Sequence, residues 1–202
     1  MARQKSYDRQ EAVARARDAF RENGFQTLGI RAIEDIVGIG RFAIRTEFGG
    51  KEGLFIEAMK LYGQDIHQAV IQPIEQADNL DVLSNLMSAG LDPESDVNGK
   101  FGCLFLNTTV ENAALQNNDI RELTDAYFSD LLNAVTGLVD RAKAKGTVRS
   151  DVDSTGAAEF VKGVFMAAAI ISRDAGDVTA STGLINMALY TIDSWRPSQI
   201  DP

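Results

Sequence analysis

The residues best placed to do chemistry are Arg41, Phe42, Ala43, Arg45 and Thr46, the outward positions of one short helix whose inward positions are Ile44 and Phe48. An arginine guanidinium presents paired donors that match guanine O6 and N7, and small neighbours such as Ala43 let the backbone approach base edges. A few residues on, Lys51 and the free N–H groups at the start of the helix it opens form a clamp for a phosphate. The chemistry offered is recognition of double-stranded DNA by donors and charge. Bond-breaking chemistry has far less to stand on. One histidine, one cysteine and no His/carboxylate cluster give no metal site, and no Gly-rich strand–helix unit offers a nucleotide or cofactor site. Glu111 with Cys103 is too thin a constellation for the paired, tuned groups that catalysis needs.

A second set of candidates lies further along the chain. Cys103, Asn107 and Glu111 recur every four residues and so share one helical face. Asn107 and Glu111 either orient a small ligand in an apolar pocket lined by Met59, Tyr62, Leu106, Tyr127, Phe160 and Val164, or bond within the core or between helices. Cys103 likewise has two readings. It is a redox or electrophile switch if a helix N-terminus and Lys100 lower its pKa, and inert packing otherwise. His67 falls on the polar side of its helix and is expected in solvent.

The elements that must position the first set run from Ile30 to Leu54. Ile30, Ile33, Ile36 and Val37 give a first helix one apolar face. Gly38 allows a turn, and Ile39 plugs the corner before the second helix, which Gly49 and Gly50 stop. Lys51 then opens a helix with an apolar stripe of Leu54, Phe55, Ala58, Met59, Leu61 and Tyr62. Helix, glycine turn and helix with an exposed basic face is the helix-turn-helix plan, whose second helix enters the major groove.

Residues 10 to 62 also resemble the N-terminal DNA-binding domain of the TetR family of bacterial transcriptional regulators. The resemblance rests on Ala19-Phe20, Gly24-Phe25, Ile30-Arg31, Ile33, the Gly38-Ile39-Gly40-Arg41 turn, Phe48 and Lys51-Glu52-Gly53-Leu54. With it, Gly29, Arg31 and Gly40 join the candidate DNA contacts. The chain departs from the family pattern in having Arg45 where Tyr is common, Phe42 where a small residue is common, and Glu34 where Ala is usual. Arg45 serves a phosphate at least as well as Tyr. Phe42 either meets a thymine methyl or packs, and Glu34 has no role at this level. Further on, Gly102-Cys103-Leu104 with Asn107 and Glu111, and the Ala144–Asp151 turn, resemble the regulatory domain of a TetR subgroup. The resemblance implies a homodimer on a palindromic operator, a repressor released by a small-molecule effector. A thiol-sensing repressor using Cys103 is the alternative.

Net charge is −9, which sits awkwardly with DNA until the chain is divided. Residues 1–60 hold 11 Lys+Arg against 9 Asp+Glu, and the remainder holds 9 against 20. The acidity belongs to the later part, which phosphate would repel. Arg3, Lys5, Arg9, Arg15, Arg17 and Arg21 add a basic N-terminal flank. The expected location is the cytoplasm, because a single cysteine suits a reducing compartment and the N-terminus lacks a secretory apolar segment. No membrane partner is expected, since no run approaches the roughly 18 apolar residues a span needs.

The 202 residues are expected to fold as all-α, with a helix-turn-helix domain over 1–50 and a ligand-binding and dimerisation domain over 51–202. Periodicity predicts helices over 7–23, 50–69, 80–91, 101–114 (apolar on nearly all sides), 119–145, 154–173 and 178–195, with Pro73 closing the fourth and LDPESDVNGK (91–100) a loop. The helix at 154–173 has almost no polar face from Phe160 to Ile171, so it must be covered on every side. A second subunit on Phe165, Ala168, Ile171, Leu184, Met187 and Ala188 would supply that cover. A central helix of a monomer is the other reading.

Overall fold

A computed structural model describes residues 7–94 and 99–197. Arg3, Lys5 and part of the 91–100 loop lie outside the described residues. Within them every regular element is helical. The chain divides into two compact units: residues up to Asp65 with Leu104–Asp125, and Ile66–Cys103 with Ala126 onward.

In the first unit, α1 (Arg9–Asn23), α2 (Ile30–Val37), α3 (Arg41–Phe48), α4 (Lys51–Ile66) and α7 (Leu104–Leu115) enclose an aromatic centre. The Phe55 ring lies 4.8 Å from Phe20 and 4.7 Å from Phe25, centroid to centroid. Asp8 caps α1 by accepting from the N–H groups of Gln10 (2.7 Å) and Glu11 (3.2 Å). Gly38 closes α2 with φ 76°, a left-handed turn that a side chain would strain, and Ile39 is buried in the corner it makes. Gly53 serves another purpose. A Cβ there would lie 1.7 Å from the Phe48 carbonyl oxygen, so only glycine lets the first turn of α4 press against the end of α3. Arg9 reaches Glu57 at 3.0 Å and ties α1 to α4. Ile36, expected on the apolar face of α2, is exposed, because Ile33 and Val37 complete the buried edge of so short a helix.

This unit extends past residue 50 and takes back a later segment. The reason is packing. Leu54, Phe55, Ala58 and Met59 are fully buried, and α7 adds Leu104, Phe105 and Leu106. Phe105 stands 5.4 Å from Tyr62, edge to face. Helix α7 is not covered all round, since Val110 and the alanines after it are exposed. At its end, Asn112 and Asn117 exchange two hydrogen bonds of 3.0 Å, and Asn117 Nδ2 donates to Glu52 at the start of α4.

In the second unit the helical path does not stop near residue 69. A π turn over His67–Ile71 passes directly into α5 (Gln72–Gln76), with Pro73 in the first turn of α5. Proline lacks an N–H and its ring crowds the carbonyl four residues back, and the wider π turn accommodates both. His67 is exposed, as its polar face demands. Helix α6 (Asp81–Ala89), the later part of α8 (Asn118–Ala144), α9 (Ser154–Ala175), a 3-10 turn (Val178–Ser181) and α10 (Thr182–Asp193) surround Leu83, Met87, Leu131, Val135, Leu138 and Val161. Arg141 donates to the carbonyls of Ala77 (2.9 Å) and Ile74 (2.8 Å), filling acceptors at the end of α5. By length and mean composition helix α9 alone among the described helices would suffice to cross a bilayer, though it holds no unbroken apolar run of that length. Glu159 and Lys162 break the run of apolar residues in the sequence.

Candidate nucleic-acid interface

Helix α3 is too short to be stable by itself. It is held by Ile44 and Phe48 on its buried side, by a Gly49 turn at its end and by Glu34 at its beginning. Glu34 Oε1 accepts from the Arg41 N–H at 2.5 Å and lies 3.9 Å from Arg41 Nε. Its carboxylate therefore satisfies one orphan donor at the positive end of the helix. That gives the unassigned Glu34 a function, fixing α3 against α2.

The opposite side of α3 is open. The Arg41 side chain is 69% exposed, Phe42 is 78% exposed, and Arg45 and Thr46 are exposed with them. Ala43 is half-buried beside them. Phe42 stands out from the described residues, against the reading in which it packs. Thr46 Oγ1 donates back into the helix, at 2.9 Å to the Phe42 carbonyl and 3.3 Å to that of Ala43. Arg31, Gly29 and Gly40 are exposed at the two helix starts. Two guanidiniums four residues apart, beside a phenyl ring, make a surface suited to a polyanion with a partly apolar edge.

Lys51 differs from its expected role. It is half-buried with Nζ 4.3 Å from the centroid of Phe25, so in this state its charge faces an aromatic ring. Burial draws its pKa below the ordinary lysine value, and Glu111 works in the opposite direction. Glu111 is also placed differently from a ligand contact. Its Oε2 accepts from the Phe25 N–H at 2.9 Å, and its own carbonyl accepts from Gln26 Nε2 at 3.4 Å. The carboxylate is thus engaged with the α1–α2 loop.

The remaining ligand candidates are divided between the units. Met59, Tyr62, Leu106 and Asn107 belong with Glu111 to the first, where Met59, Tyr62 and Leu106 are buried and Asn107 is half-buried. Cys103, Tyr127, Phe160 and Val164 belong to the second. Cys103 is buried immediately before α7, and burial pushes the Tyr127 phenol up, with a smaller contribution from Cys103. Val164 is buried, but Phe160 lies on the exposed side of α9 with its ring 5.9 Å from Trp195. As a pocket residue Phe160 is corrected, because the turn of α9 that buries Val161 and Val164 turns it outward.

A second open face lies on α9 and α10. Ile170 (53% exposed), Ile171, Met187 (64%) and Tyr190 (74%) are large and apolar, and Phe165 and Leu184 are half-buried. Ala168 and Ala188 are covered by their own unit and are corrected as interface contacts. Small residues fit a core and an interface equally well, so spacing alone did not separate them. Tyr190 and Ile170 extend this face beyond the six residues expected on it. The recurrence at three and four residues that placed Met187 also places Tyr190.

Comparison with known proteins agrees with this architecture. The family described as "Tetracyclin repressor-like, C-terminal domain" matches residues 79–187. An uncharacterised HTH-type transcriptional regulator, YezE of Bacillus subtilis, is 22% identical over 96% of this chain and 100% of its own. A TetR-family regulator from Cytophaga hutchinsonii superposes with a TM-score of 0.82 at 17% identity, covering 96% of this chain and 100% of that one. A cysteine mutant of the TetR-family regulator CifR, complexed with 26bp double-strand operator DNA, does so with a TM-score of 0.76 at 20% identity, with the same two coverages.

Proposed function

The chain belongs to the TetR family of transcriptional regulators, which are not enzymes, and from that premise we propose a homodimeric repressor released from a palindromic operator by a small effector. The observation that carries the reading is the exposed face of α3, where Arg41, Arg45 and Phe42 stand clear of the protein on a helix anchored by Ile44, Phe48 and Glu34. CifR supports it as a relative of the same fold complexed with operator DNA. Arg31 and the helix starts at Gly29 and Gly40 add phosphate contacts. Lys51 joins them by leaving the Phe25 ring, a side-chain movement alone. Residues 1–50, with Lys51 at the start of α4, read the DNA, and the rest of 51–202 receives the effector and dimerises in the cytoplasm.

A two-fold partner is supported by the apolar face of α9 and α10, since Ile170, Ile171, Met187 and Tyr190 in water are a liability that a second copy removes. Two copies on one duplex place their α3 helices about 34–36 Å apart or a multiple of it. Release requires a link between effector and head. Glu111 supports one, because movement of α7 pulls on the Phe25 N–H and the loop that sets α2. The test is selection of random duplexes by the full-length chain, followed by electrophoretic mobility shift at two salt concentrations. Palindromic sites with salt-sensitive binding are expected; absence of any preferred duplex contradicts the reading.

The thiol alternative has one observation in its favour, the position of Cys103 directly before the start of α7. Its test is Cys103→Ser. Operator release by an electrophile should disappear, and unchanged release removes the alternative.

A further inference from the structure

The exposed face of α3 is not uniformly cationic. Residues four apart lie on one line along a helix, so the face consists of two parallel ridges: Arg41 with Arg45, and Phe42 with Thr46. The first ridge carries all the donors. The second carries carbon. Phe42 has no polar atom, and the Thr46 hydroxyl proton is spent on the carbonyls of Phe42 and Ala43, leaving its γ-methyl and an acceptor. A phenyl ring 78% exposed on a folded protein gains nothing from water.

Resting on the DNA-binding reading above, we propose that Phe42, with Thr46 beside it, reads the 5-methyl group of a thymine in each operator half-site. The argument is one of exclusion on the base edges. In the major groove guanine shows two acceptors, cytosine an amino donor, and adenine an acceptor and a donor. Laying a phenyl ring over any of these takes a polar group from water and returns no hydrogen bond. Thymine alone adds a methyl group there, its C5-methyl beside the O4 acceptor, where cytosine has only C5–H. The Phe42–Thr46 ridge therefore selects thymine by attraction to the methyl and by penalty at every other base. The Arg41–Arg45 ridge, one helical position away, falls on a neighbouring guanine or on phosphate. The operator class that follows is a half-site with a fixed thymine next to the arginine contacts.

The test uses duplexes selected from a random pool by the full-length chain. In each selected duplex, every thymine of the half-site is replaced in turn by deoxyuridine, which deletes only the methyl, and binding is read by fluorescence anisotropy. At one thymine the parent should lose about fourfold per half-site, or about fifteenfold with both half-sites changed, the factor expected for one methyl kept from water. Phe42→Ala should bind the thymine duplex correspondingly less well and be indifferent to the replacement, while Phe42→Leu should keep the sensitivity. Because Phe42 is exposed, both variants should melt with the parent; should Phe42→Ala melt lower, the deoxyuridine response of Phe42→Leu against the parent decides. A parent indifferent to deoxyuridine at every position overturns the proposal and leaves the regulator reading standing. So does a Phe42→Ala variant that keeps the full methyl response, or one that weakens binding where the parent shows no methyl response, as a ring wedged between base steps would. Failure of the parent to select any duplex overturns both.

Discussion

The open face of α3 and the open face of α9 and α10 both expose large apolar side chains, yet the proposed reading gives them different partners. On α3 a single phenyl ring stands among guanidiniums, on a helix of eight residues held rigidly from behind. On α9 and α10, Ile170, Ile171, Met187 and Tyr190 are all exposed, and α9 also carries the small residues Gly163 and Ala167. Isolated carbon amid charge suits an anionic surface with a methyl on it. Several large apolar side chains exposed on two helices suit another carbon surface. The difference lies in what surrounds each hydrophobic residue and not in how exposed it is, since Phe42 and Tyr190 are nearly equal in exposure.

If the two faces are independent, a change in one should leave the other's property intact. The largest effect should come from Met187→Glu. A carboxylate without a partner in an apolar dimer interface costs on the order of 3–5 kcal/mol per interface. Sedimentation should show a shift to monomer, while the melting of the helix-turn-helix unit, Lys51 and all, is retained. A variant that remains dimeric breaks the comparison. Next, Arg41→Ala should weaken operator binding by about 1–3 kcal/mol if it reads a base, with the sedimentation of the dimer unchanged. Glu111→Ala addresses the link between the faces. It leaves the Phe25 N–H without its charged acceptor and should destabilise the fold by about 1–3 kcal/mol in urea unfolding. Such a variant should also hold operator DNA less responsively to effector, because the α1–α2 loop no longer follows α7.

The smallest effect is one of pH. Hydrogen bonding from Arg9, and then from Lys60, holds the Glu57 carboxyl below its ordinary value of 4.5, against burial. A carboxylate whose folded pKa is depressed contributes stability that is full above its unfolded pKa and is lost as pH falls through the folded one. Parent and Glu57→Gln should therefore differ in melting by a constant amount above about pH 5, worth under about 1 kcal/mol for so exposed a pair, and converge below pH 4.5. A difference that persists under acid would assign the effect to packing.

The head was legible in the sequence because its signals are local. Gly38 and Gly49 at the helix ends, Ile44 and Phe48 four apart, and the basic residues between them each act within one or two turns. What was missed depends on contacts that spacing does not carry. Glu111 meets Phe25 across 86 positions, so its occupied carboxylate read equally well as a ligand contact. Glu34 lies seven residues from Arg41, but its capping role requires the angle of the corner between α2 and α3. The π turn at His67–Ile71 is a rephasing of backbone bonds with no side-chain signature, and Pro73 alone suggested a stop. Helix α9 has almost no polar residue from Phe160 to Ile171, but which of its small residues turn inward, Ala168 among them, depends on its neighbours.

The central claim is that the outward face of α3 meets duplex DNA. Its most direct test is the salt dependence of anisotropy-measured affinity for a selected duplex, comparing the parent with the double variant Arg41→Ala, Arg45→Ala. The account predicts a steep linear fall of log affinity with log salt for the parent. In the double variant, affinity should be at least about tenfold weaker, with a slope shallower by about one for each phosphate contact removed. A double variant with the parent's affinity and the parent's slope would contradict it.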